Sequence, residues 1–204
     1  MLRALSLGCI VVSFLAFASN AGTEERITVG NTFTVVRTVL GILDANMRQL
    51  KLADDIYHNE LIETGEGSAT EVVFIDETKL ALGPNSSIVL DKFVYDPRPD
   101  QSSFVATATK GVFRFVTGNL PKSSYTIHTP AATIGVRGTA FSLVVSPQQT
   151  MDGSQSYLVR FALEEGAADI SGCGADAIHL EAPGEAVTLR STGNGVCSSN
   201  SSPF

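Results

Sequence analysis

From Ile27 onward, apolar residues recur at every second position in short runs, and Gly, Pro, Asn or Asp interrupts each run within a few residues. A period of two puts alternate side chains on one face of a pleated strand, whereas an amphipathic helix needs a period near 3.6. Leu80 pairs in step with Leu82, Ile88 with Leu90, Phe113 with Phe115, and Tyr125 with Ile127. Tyr157, Val159, Phe161 and Leu163 alternate strictly. Gly41 to Tyr57 is the nearest approach to a helical pattern, and its Leu50, Leu52 and Ile56 suit strands and a loop about as well. The pattern therefore predicts an all-β fold of stacked short antiparallel strands and hairpins, in a sandwich or β-solenoid-like arrangement. Val72-Val73-Phe74-Ile75 is apolar on both faces and is expected to be a central strand covered on both sides.

One break in parity locates a bend. Ala132, Ile134 and Val136 are in step with one another, while Phe141, Leu143 and Val145 are in step one residue later. If both sets face the core, an extra residue is absorbed between them, and Gly138 sits where a bulge would do so. A weak internal repeat accompanies this: a glycine followed by paired short strands, after Thr64-Gly65, Lys110-Gly111 and Glu165-Gly166. Its spacing is too irregular for a regular solenoid.

The first residues have another character. Arg3 is followed by an apolar run from Ala4 to Ala18 broken only by Ser6 and Ser13, the layout of a secretory signal with a cleavage frame ending at Ala21. The run is shorter than the roughly 20 residues a membrane-spanning helix needs. Residues 1–21 are thus read as a signal peptide, and the location as periplasmic or secreted in a bacterium. Residues 22–60 are read as N-terminal strands and lead-in, 61–145 as the core, 146–193 as strands completing the same domain, and 194–204 as a loose tail.

Of the 14 basic and 21 acidic residues in the 204-residue chain, cleavage removes only Arg3. The acidic balance argues against a nucleic-acid partner, whose phosphates require Lys and Arg. Cys173 and Cys197 remain after cleavage, and in an oxidising compartment they are expected to form one bridge worth about 3 kcal/mol. The histidines, His58, His128 and His179, have no metal-ligand spacing, and no nucleophile elbow, phosphate loop or dinucleotide fingerprint occurs. Asp54-Asp55 and Glu164-Glu165 are adjacent, so on strands they point to opposite faces and cannot work as an acid/base pair. Asp91, Asp96 and Asp100 lack the compact spacing of a calcium loop. No cofactor, metal or catalytic residue is expected, and the chain reads as non-enzymatic.

Three strings carry a resemblance. Leu80-Ala81-Leu82-Gly83-Pro84-Asn85-Ser86, Lys110-Gly111-Val112-Phe113-Arg114-Phe115 and Thr129-Pro130-Ala131-Ala132-Thr133-Ile134-Gly135-Val136-Arg137-Gly138-Thr139 resemble the FecR-like domain in order and interval, from about Ile62 to Val145. The resemblance singles out Gly83, Pro84, Asn85, Gly111, Thr129, Pro130, Gly135, Arg137, Gly138 and Thr139. Where that family commonly carries a glycine in the turn, this chain has Asp76-Glu77-Thr78. The best understood family members are transmembrane regulators that hold a sigma factor. No cytosolic or transmembrane segment is read here, so the resemblance implies an exported module that binds a protein of the cell envelope. A carbohydrate- or envelope-binding domain is the alternative, using Tyr95 or Tyr125, although the chain has four Tyr and no Trp. Arg137, between Val136 and Gly138, is expected to be a buried structural arginine forked onto a carboxylate or turn carbonyls, in preference to projecting toward a partner.

Overall fold

Three strands in the computed structural model are far longer than the rest, and each changes its neighbours part-way along. Residues 26–95, 102–150, 153–172 and 177–191 are described, together with the backbone of 197–203. The strands are β1 (Thr28–Val36), β2 (Val39–Leu43), β3 (Asn46–Gln49), β4 (Asp55–Tyr57), β5 (Leu61–Thr64), β6 (Ala69–Phe74), β7 (Lys79–Leu82), β8 (Ser87–Val94), β9 (Ser103–Val116), β10 (Tyr125–His128), β11 (Thr133–Gln149), β12 (Gln155–Ser171), β13 (Ile178–Leu180), β14 (Glu185–Ser191) and β15 (Cys197–Pro203). No helix occurs among the described residues.

The first half of β9 pairs with β8 on one side and, in parallel, with β10 on the other; its second half pairs with β7 and β11. β11 passes from β10 to β9 in the same way, and β12 passes from β14 to β13. Two layers result. One runs β3-β2-β5-β8-β9-β10-β11-β12-β13, and the other runs β4-β1-β6-β7-β9-β11-β12-β14-β15. They face each other across one core. Phe74 of β6 stacks on Phe93 of β8 at 5.6 Å, and meets Phe104 edge-on at 5.1 Å, although β6 is laddered to neither strand. The sheet is mixed and does not close into a barrel.

The crossing points carry positive-φ glycines: Gly111 in β9 (φ 114°), Gly138 in β11 (φ 62°) and Gly166 in β12 (φ 83°). Around each, the buried set slips by one residue. Phe104, Ala106 and Ala108 give way to Phe113 and Phe115; Ile134 and Val136 to Phe141, Leu143 and Val145; Val159, Phe161 and Leu163 to Ala168 and Ile170. The bulge expected at Gly138 is present, with the β11–β12 register shifting between Arg137 and Phe141.

Two readings are corrected. β6 lies between β1 and β7, but only one of its faces is covered: Val72 and Phe74 are buried, Val73 is half-buried and Ile75 is 55% exposed. Being central in a ladder and being covered on both faces are different conditions, and a four-residue apolar run does not separate them. Within the stretch read as a loose tail, Cys197–Pro203 is a strand laddered along β14. Backbone hydrogen bonds hold it, and these leave no apolar period in the sequence. The residues from Gly41 to Tyr57 form the end of β2, then β3 and β4, with Leu50 and Ile56 buried and Leu52 exposed.

Candidate functional site

The string residues gather at the corners. Thr64 Oγ1 donates to the Gly83 carbonyl (2.6 Å) and accepts from the Ser86 amide (2.9 Å). Ser86 Oγ in turn donates to Gly83 O (2.9 Å) and accepts from Val112 N (3.0 Å), while Gly83 N donates to Val112 O (2.8 Å). Asn85 takes the left-handed turn position (φ 55°), which asparagine tolerates better than most side chains. Gly111 lies beneath this knot, where a Cβ would fall 2.3 Å from Ser86 Cα. Gly83, Pro84, Asn85 and Gly111 are therefore one structural unit that turns β9.

A second unit surrounds Gly138. The amide of Thr139 donates to Thr117 Oγ1 (2.9 Å), and Thr117 N and Oγ1 both donate to Thr139 O. A Cβ on Gly166 would stand 2.2 Å from the Gly138 carbonyl oxygen, so these two corners touch through backbone. Thr129 closes its own turn, donating through Oγ1 to Ala132 O (2.8 Å) and accepting from Ala132 N (3.0 Å) across Pro130.

Arg137 departs from expectation. Its side chain is 46% exposed, and Nη2 lies 3.4 Å from Asp169 Oδ1, which also takes His179 Nδ1 at 2.6 Å. The carboxylate partner exists, but the pair lies on the outer face because residue 137 is the last before the slip at Gly138. His128 is half-buried on the same face, with Nδ1 3.1 Å from Thr133 Oγ1. Glu164 is held well below the usual carboxylate range, chiefly by Arg114, with Ser142 also donating to it. Asp54 accepts from Lys51 N in a loop, and Asp91 from Thr107 Oγ1. Among the described residues no three His, Cys, Asp or Glu side chains gather as a metal site would require. The expected Cys173–Cys197 bridge, like Asp96 and Asp100, lies outside the described residues and side chains.

Residues 60–168 of the chain match the FecR protein family. The chain belongs to that family. Two crystal structures of a candidate anti-sigma factor from Parabacteroides distasonis are similar to it. One aligns at 16% identity and a TM-score of 0.51, covering 70% of this chain and 60% of that one, and the other at 15% and 0.48 with the same coverage. This chain thus spans about 60% of their length, and the first likeness is one of fold. No curated protein sequence matches.

The FecR match begins and ends inside the sheet. β1 to β4 precede it, and β13 to β15 come after it. It encloses a buried cluster that pattern reading missed. Asp76, 1% exposed, accepts from Thr78 Oγ1 (2.6 Å), Thr78 N (3.1 Å) and Tyr125 Oη (2.8 Å). The phenol oxygen also accepts from Gly118 N (3.0 Å) and Leu120 N (3.2 Å). Burial, only partly offset by Thr78, pushes the Tyr125 phenol up to about 12. The turn lacking the family's glycine is the one that supplies Asp76, with Glu77 at φ 68°. A carboxylate in a turn together with a tyrosine on an apolar parity position was the available signal. Tyr125 is thereby a core residue and offers no face to a sugar.

Proposed function

We propose that this FecR-family chain is an exported, non-enzymatic module of the bacterial envelope, periplasmic or secreted after cleavage at Ala21, that binds another protein. The observation carrying the reading is an apolar surface beside an open backbone edge. β4 pairs with β1 only from Thr28 to Asn31, and Thr32 bonds the loop at Lys51 to Asp54. Thr34, Val35 and Val36 ladder to β6 alone among the described residues, and Phe33 sits in the register shift just before them. Phe33 is 61% exposed there, Leu52 in the adjoining loop 67%, and Val36 ends the strand exposed. An unpaired edge with large apolar side chains suits strand addition by a partner, with backbone bonds giving affinity and side chains giving selection. Among the described residues no helix is long and apolar enough to cross a membrane.

The test is export of the full chain in a bacterial host, followed by use of the recovered protein as bait in envelope extract. Mass spectrometry should find an N-terminus at Gly22, and the bait should retain a protein that Phe33→Lys retains at least tenfold less at unchanged melting temperature. Equal capture by both baits, or none, would overturn the binding reading. A product retaining residues 1–21 would overturn the export reading.

A further inference from the structure

Gly135 is a glycine that nothing in the fold requires. The other glycines inside described strands are explained by a positive φ or by a neighbour that a Cβ would strike: Gly30 by Val73 O at 2.5 Å, Gly41 by Glu60 Oε1 at 2.2 Å, and Gly111, Gly138 and Gly166 at the corners. Gly135 has no positive φ, its ladders to β10 and β12 run through it without a shift, and a Cβ there would meet only Asp169 O at 3.8 Å. Glycine in a strand interior weakens the strand, and where neither bulge nor bend needs it, it marks a place where something approaches the backbone closely.

The surroundings indicate what approaches. Gly135 faces outward between Thr126 on β10 and Asp169 on β12, which pairs in turn with His179 on β13. Thr133 and Arg137 flank it along β11, and His128 stands diagonally across from it, bonded to Thr133. With strands spaced about 4.8 Å apart and alternate residues about 6.7 Å apart, the missing side chain leaves a pit framed at roughly 10 by 13 Å. The framing side chains are polar except at the corner opposite Arg137, where β12 places Ala167. Two hydroxyls both donate and accept, the imidazole nitrogens supply further polar atoms, Arg137 donates, and Asp169 accepts. Arg137 and Asp169 offset each other in charge, so the frame favours neither an anion nor a cation.

We infer that the Gly135 pit is a binding site for a neutral, polyhydroxylated ring, one sugar unit of a saccharide, whose vicinal hydroxyls exchange hydrogen bonds with Thr126, Asp169 and Arg137. The site lies on the opposite layer from Phe33 and does not depend on the protein-binding reading. It uses no aromatic platform, which is why the scarcity of exposed aromatic rings does not exclude it.

The full chain is titrated calorimetrically with maltohexaose, cellohexaose and chitohexaose, with polygalacturonate as the acidic comparison. At least one neutral hexamer should bind saturably. Gly135→Val should weaken that binding at least tenfold with the melting temperature held or raised, because the space is free and valine favours strands. Asp169→Asn, which keeps the shape of the frame, should also weaken it severalfold. The inference is overturned by failure of every neutral probe, by preference for polygalacturonate, or by binding that Gly135→Val leaves unchanged. A lowered melting temperature for Gly135→Val would overturn it too, since the fold would then need the glycine. Loss of protein capture in Gly135→Val with no sugar bound would assign the pit to a protein contact instead.

Discussion

Replacing Tyr125 by Phe removes one oxygen from the buried cluster and almost nothing else. The ring keeps its place against Phe104, 5.7 Å away, so packing is conserved. Asp76 loses its 2.8 Å donor but keeps Thr78, and Gly118 N keeps Thr78 Oγ1 at 3.0 Å. The Leu120 amide, buried, is left without its acceptor. A hydrogen bond to a charged group contributes about 1.5–3 kcal/mol and an orphaned buried amide costs about 1–3 kcal/mol; with partial relaxation the expected loss is about 2–4 kcal/mol. In urea unfolding followed by circular dichroism at pH 7, the midpoint should fall with the slope unchanged. The alkaline limb gives a second readout. The phenol titrates near 12 in the fold and near 10 when unfolded. A raised pKa contributes stability that is complete below pH 10 and lost as pH rises toward 12, so wild type should weaken over that window and Tyr125→Phe should lack that component. A variant within about 0.5 kcal/mol of wild type, a value at the scale of ordinary surface substitutions, would refute the cluster as a determinant of stability.

Arg137→Ala should change stability by less than about 1 kcal/mol in the same assay, since its ion pair with Asp169 is exposed. Glu60 is fully buried and holds Arg48 at 2.9 Å as well as the Tyr57 amide. Arg48→Met leaves that carboxylate without its cation and should cost about 3–5 kcal/mol, read from the thermal midpoint. Deleting residues 1–59, so that the chain starts at the FecR match, should uncover the edges of β5 and β6 and should give aggregation on size-exclusion chromatography.

Parity made most of the strands legible. Leu80, Leu82, Phe113, Phe115, Val159, Phe161 and Leu163 are all buried, because a residue facing one core has to alternate. The slip at Gly138 was readable for the same reason. The same slips at Gly111 and Gly166 were equally present in the chain and needed only the same parity count on both sides of each glycine. The outward position of Arg137 was legible too, since Val136 is in step with the core and the bulge comes only at Gly138. Two features were not legible. The cover over β6 depends on layers that a single strand does not encode. The Asp76–Tyr125 cluster joins residues 49 apart: each member was visible as a polar group in a core setting, but their pairing is a contact that no local pattern carries.

Because β9, β11 and β12 each run through both layers, neither layer can open without breaking a strand of the other. Amide hydrogens of β8 in one layer and β14 in the other should therefore exchange through a single opening event with the same free energy, where separable layers would give two. Closing such long-range ladders before any of them is rewarded also implies slow folding. If the chain is exported as proposed, that interval falls after translocation, when the open edge at residues 33–36 is available to the first strand that meets it.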